Sequence, residues 1–136
     1  MIGLDTNVLV RYLVQDHPGQ ARAASTLIES LTPEHPGWIT QVVLVELVWV
    51  LDRAYRVERA RIAQILETLL RTKELVVEAA DTAWKALRLY RASSADFADC
   101  LIACACMVAQ CDSIATFDRK AAHLPGMRLI AHGGQA

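Results

Sequence analysis

Five carboxylates stand where acids do chemistry: Asp5, Glu46, Asp96, Asp99 and Asp118. Asp5 closes a short apolar run, Met1 to Leu4, and Asp118 follows another, Ser113 to Ala115. Asp96 and Asp99 are three residues apart, which places them on one face of a helix. Glu46 lies inside the very apolar segment Gln41 to Arg53. Carboxylates gathered at one edge repel one another unless a counter-charge is present, and a hard cation with oxygen ligands supplies it. Such a cluster can hold one or two magnesium or manganese ions beside a phosphate, where the cation activates water and screens developing charge.

Each acid also has a plainer role. Asp5 and Asp118 could cap helices. Asp96 and Asp99 could simply favour the positive end of a helix. Glu46 could pair with Arg53 or Arg11. Its neighbours one turn away are Val42, Val43, Trp49 and Val50, so a buried face is expected, where an unpaired carboxylate is costly. There is no P-loop, no Gly-x-Ser-x-Gly and no convincing Cys-His arrangement to offer a rival site.

Short apolar strands alternating with helices must position these acids. Strands are expected at Met1 to Leu4, Trp38-Ile39, Leu75 to Val77, Ser113 to Ala115 and Met127 to Ile130. Helices are expected over Thr6 to Val14, from His17-Pro18 onward, and over Gln41 to Arg53 behind a Thr40 cap. Further helices are expected over Glu58 to Arg71, Asp81 to Arg91, Ala95 to Gln110 behind a Ser94 cap, and Asp118 to His123. This alternation implies an α/β fold with a parallel sheet covered on both faces. Ligands in such folds gather at the carboxyl ends of the strands. The helix Gln41 to Arg53 is apolar almost all round and is expected to be buried on more than one side.

The chain has 136 residues, 54% of them apolar, which fits one domain over residues 1–136 with a sizeable core. No apolar run reaches membrane-spanning length and no signal peptide is visible, so a cytoplasmic protein is expected. Cys100, Cys104, Cys106 and Cys111 crowd one short stretch without a CxxC pair, and are expected to be buried free thiols rather than a zinc site. The net charge of -1 argues against a general nucleic-acid binder. Setting Asp5, Glu46, Asp99 and Asp118 aside as metal-compensated leaves -1 + 4 = +3 on the rest. Arg11, Arg53, Arg56 and Arg119 lie near these acids in sequence and could meet phosphates.

Four segments together resemble the PIN-domain family. "IGLDTNVLVRYL" at Ile2 to Leu13 is similar to its opening motif, with the first acid at Asp5. "VVLVELVWVL" at Val42 to Leu51 resembles the second, with Glu46. "ADFADCLIACA" at Ala95 to Ala105 resembles the third, where the aspartate before "LIA" is Asp99. "IATFDRKAAHLPG" at Ile114 to Gly126 resembles the fourth, with Thr116 as a supporting polar residue and Asp118 as the last acid. The resemblance covers nearly the whole chain in order. It implies a three-layer α/β/α sandwich around a central parallel sheet. It also implies a metal-dependent endoribonuclease in which Asp5, Glu46, Asp99 and Asp118 are the catalytic, Mg2+- or Mn2+-binding residues. Small members of this kind are usually VapC toxins that cleave RNA, pair with a VapB-like antitoxin and form dimers. Arg56 and Gln110 stand where the family commonly ends a helix with glycine.

Two other classes stay open on these residues. One is another metal-dependent phosphohydrolase, acting on DNA or a small phosphate ester. A haloacid-dehalogenase-type phosphatase would want Asp-x-Asp, and Asp5-Thr6-Asn7 lacks the second acid. The other is a binding module that kept the fold, which would be expected to lose acids. Trp38, Trp49 and Tyr55, in or near the apolar third helix, mark the expected face for a second copy and an antitoxin.

Overall fold

A computed structural model describes residues 1–132 and divides the chain into two compact units, Met1–Ala80 and from Asp81 onward. The α/β class expected from the sequence is the class the chain adopts, and every strand pairing is parallel.

The first unit runs β1 (Ile2–Gly3), α1 (Thr6–Val14), α2 (Pro18–Glu29), β2 (Gly37–Ile39), α3 (Gln41–Arg53), α4 (Arg59–Arg71) and β3 (Leu75–Val77). Its strands pair in the order β1-β2-β3, with Gly3 opposite Trp38 and Trp38 opposite Val76. Local chemistry sets the helix starts. Pro18 occupies the first turn of α2, and His17 Nδ1 accepts from the Gln20 amide at 3.2 Å. Thr40 caps α3 by accepting from the Val43 amide at 3.1 Å. The core is built from Leu9, Ile39, Leu44, Leu47, Leu51, Ile62 and Leu66, all essentially solvent-free. A Cβ on Gly37 would lie 2.8 Å from the Leu4 side chain and 3.0 Å from that of Leu31, so any larger residue there would push these leucines aside.

The second unit holds α5 (Ala80–Ala92), α6 (Phe97–Val108), β4 (Ile114–Thr116), a short 3-10 helix at Ala121–His123, and β5 (Met127–Leu129) paired with β4. Tyr90 of α5 and Phe97 of α6 meet edge to face at 5.8 Å in its core, beside buried Leu87, Cys100 and Cys104. The residues Arg56 and Gln110 adopt left-handed backbone, φ 52 and 63, where the family resemblance pointed to glycine. Among the described residues no helix is long and apolar enough to cross a membrane.

Three expectations need correction. The helix α6 starts at Phe97 with Asp96 as its cap residue, not at Ala95 behind Ser94, because Ala95 is buried and its amide reaches Ser93 Oγ instead. Cys100 and Cys104 are buried as expected, but Cys106 is half-buried and Cys111 exposed. The helix α3, expected to be buried on more than one side, buries the one face that carries Val43, Leu44, Leu47, Val48 and Leu51: Val42 is 67% and Trp49 60% exposed, and Glu46 lies exposed between them. Spacing three and four apart puts these residues on one stripe, away from the face that carries the buried residues of α3.

Candidate active site

In the first unit the acids are organised by Thr6. Asp5 caps α1, and its Oδ1 accepts from the Thr6 amide at 2.7 Å. The Thr6 hydroxyl donates to Glu46 Oε1 at 2.8 Å, across 40 residues of sequence. One small buried residue thus holds the carboxylates at the end of β1 and on α3 in a common place. Asp5, Thr6, Asn7, Val10, Val45, Glu46, Trp49 and Val50 line a cleft of about 540 Å³. The cap role proposed for Asp5 is real, but it occupies one carboxylate oxygen. The salt bridge considered for Glu46 is absent among the described residues. Arg11 instead contacts Asp16 at 3.2 Å, Gln20 at 2.6 Å and the Tyr55 hydroxyl at 3.3 Å, tying α1 to the start of α2 and the end of α3. Arg53 contacts Asp52 and lies 5.9 Å from the Trp49 ring centroid.

In the second unit Asp99 sits in the first turn of α6 and Asp118 follows β4. Burial raises the Asp99 carboxyl above the ordinary aspartate range, and the negative charges of Asp118 and Asp96 raise it further. Asp118 Oδ1 accepts from the Lys120 and Ala121 amides at 2.8 and 3.2 Å, starting the 3-10 helix. Thr116 supports it by accepting the Asp118 amide on Oγ1 at 3.0 Å. Asp96 makes no side-chain cap bond.

The structure therefore joins Asp5 with Glu46, and Asp99 with Asp118 and Asp96. Among the described residues no group of three or more His, Cys, Asp or Glu side chains is arranged as a metal site. The donor chemistry nonetheless suits a hard cation. None of Asp5, Glu46, Asp99 and Asp118 has an ion-pair partner among the described residues. Hydrogen bonds to Asp5, Glu46 and Asp118 land on a single carboxylate oxygen each, leaving a second oxygen for a ligand.

Thr6 was not singled out from the sequence. The signal available was its place directly after Asp5, which says nothing of a partner forty residues away. Thr6→Val keeps the shape and removes the hydroxyl. We expect Glu46 to lose its orientation, the activity of the site to fall about tenfold, and stability to drop by about 1 kcal/mol. Thr6→Ser should restore most of the rate. Unchanged turnover in Thr6→Val would show that Glu46 needs no positioning.

The PIN domain family model matches residues 2–127. A curated relative, "VapC ribonuclease" of Aquifex aeolicus (strain VF5), is 29% identical over 99 residues, 72% of this chain and 73% of that protein. A solved structure, "Toxin-antitoxin complex from Klebsiella pneumoniae", is 18% identical over 94% of this chain and 96% of its own, with a TM-score of 0.35.

Proposed function

The chain belongs to the PIN domain family, and on that premise we propose that it is a metal-dependent endoribonuclease, the toxin of a toxin–antitoxin pair. The carrying observation is that acids without cationic partners occupy the four motif positions: Asp5 and Glu46 joined through Thr6, and Asp99 beside Asp118. The family match runs through both units, which supports reading residues 1–136 as one domain. The name of the curated relative supports RNA as the substrate.

In this reading Asp5 and Asp99 ligate Mg2+ or Mn2+ directly, and Glu46 and Asp118 complete the set or orient water. Bound there, the cation offsets phosphate charge and makes water a competent nucleophile at neutral pH. Thr6 keeps one Glu46 oxygen engaged, and the backbone amides at Lys120 and Ala121 hold Asp118 in place. The test is incubation of the pure chain with a mixed RNA pool. Cleavage is expected with magnesium or manganese and none in excess chelator. Cleavage that survives chelation overturns the metal reading, and a chain that cuts DNA but not RNA overturns the substrate.

The protein acts in the cytoplasm, as a homodimer, restrained by a VapB-like antitoxin. The exposed stripe Val42–Trp49 of α3 supports the antitoxin assignment, because it flanks the acids and presents apolar surface. Tyr55 is a weaker candidate than the sequence suggested, since its hydroxyl donates to Asp16 at 2.8 Å and is occupied within the unit. Trp49→Asp should weaken binding of a VapB-like antitoxin by tenfold or more, about 1.4 kcal/mol. Calorimetric titration reads this directly, and unchanged affinity would move the partner elsewhere. Light scattering of the isolated chain checks the dimer, and a monomer throughout the micromolar range would refute it.

A further inference from the structure

The chain leaves α6 through a Schellman turn. The Cys111 amide donates to the Cys106 carbonyl at 3.0 Å, and the Gln110 amide donates to the Met107 carbonyl at 3.0 Å. Gln110 supplies the left-handed residue, φ 63, that this turn requires. In such a turn the side chains at the two ends of the outer hydrogen bond pack against each other. Here both ends are cysteines, Cys106 in the last turn of α6 and Cys111 just beyond it. They stand apart from Cys100 and Cys104, which are buried in the second unit's core. Cys111 is exposed and Cys106 half-buried, so an oxidant in solution reaches this pair and not the other.

We propose that Cys106 and Cys111 form a redox-active pair that a peroxide converts into an internal disulfide. Cys111 is exposed and Cys106 half-buried, which makes Cys111 the attacking sulfur. The Cys111 thiolate attacks one peroxide oxygen, the O–O bond breaks, and hydroxide leaves to take up a proton as water. The resulting sulfenic acid is then attacked by the Cys106 sulfur. The S–S bond forms, the S–O bond breaks, and the Cys106 proton leaves with hydroxide as the second water. In sum two thiols lose two hydrogens and one peroxide becomes two waters. The bridge ties the last turn of α6 to the chain entering β4, between the segments that carry Asp99 and Asp118. This inference stands independently of the nuclease reading.

The experiment is intact-mass spectrometry of the full chain after brief exposure to equimolar hydrogen peroxide, with iodoacetamide counting the remaining thiols. Wild type should lose two hydrogens and two alkylatable thiols, stay monomeric in covalent terms, and recover both thiols with dithiothreitol. Its thermal midpoint should shift upward on oxidation and return on reduction. Cys106→Ser should gain oxygen at Cys111 or cross-link between chains without internal loss of two hydrogens. Cys111→Ser should form no internal bridge and should oxidise more slowly than Cys106→Ser. Both exchanges lie at the surface end of α6, and circular dichroism confirms that each variant folds. The proposal is overturned if wild type gains oxygen without forming the bridge, or if Cys106→Ser still loses two hydrogens internally, which would place the disulfide at Cys100 and Cys104.

Discussion

Replacing Asp5 with asparagine is expected to lower metal-dependent RNA cleavage by about 100-fold or more while barely changing the fold. Asparagine caps a helix as well as aspartate does, so the bond from the Thr6 amide to the side chain survives in α1. The Thr6 hydroxyl keeps its place against Glu46, because the backbone that carries it is unchanged. What disappears is one negative charge and one anionic oxygen. A hard cation bound by carboxylates loses affinity when a ligand becomes a neutral amide. Magnesium binding, read by calorimetry, should therefore weaken in parallel with the rate, and far-ultraviolet dichroism should stay the same. Equal cleavage by Asp5→Asn and wild type would remove Asp5 from the metal site. A fall in rate with undiminished metal affinity would assign it another catalytic role.

Separate substitution of the two aspartates of α6 should split activity from stability. Asp99 is held above the ordinary aspartate range by burial, with Asp118 and then Asp96 adding repulsion. The folded chain therefore binds this proton more tightly than the unfolded chain does. Between the ordinary aspartate pKa and the raised one, stability falls as pH rises, because the charge on Asp99 is harder to hold in the fold than out of it. Above that window the cost is fully present, and below it the cost vanishes. Asp99→Asn should thus raise the melting temperature of the metal-free protein at neutral pH, lose that advantage in acid, and cut RNA at least about 100-fold more slowly. Asp96→Asn should behave otherwise. Its side chain makes no cap hydrogen bond, so its attraction to the helix start is lost, about 0.3–0.5 kcal/mol, offset in part as its repulsion of Asp99 goes. Most of the cleavage should remain, with metal affinity slightly reduced. An inactive Asp96→Asn beside an active Asp99→Asn would reverse the assignment.

Much of this architecture was readable along the chain. The boundaries of α1, α3 and β3 agree with their sequence patterns, since each depends on contacts within a few residues: Asp5 and Thr40 as caps, and the apolar run at Leu75. Pro18 at the first turn of α2 belongs to the same class, whereas the left-handed backbone at Arg56 and Gln110 is one that neither residue type announces. The start of α6 was misplaced by two residues because Ser94 and Asp96 are both plausible caps. The burial of Ala95 against the second unit's core chose between them.

The candidate acids were likewise visible, because their residue types and the order of their motifs are properties of the linear chain. Their surroundings were not. An apolar stripe on α3 looks the same in sequence whether a neighbour covers it or solvent does, so Glu46 was expected among buried side chains and is exposed. Thr6 reaches Glu46 only because α1 and α3 pack side by side, a contact spanning 40 residues that no local spacing encodes. The repulsion that raises Asp99 depends on how close the end of β4 comes to the start of α6. Hydrogen bonds within a turn are set by neighbouring residues in the chain. Burial, ion pairing and charge repulsion depend on distances through space, and those exist only after the elements have packed.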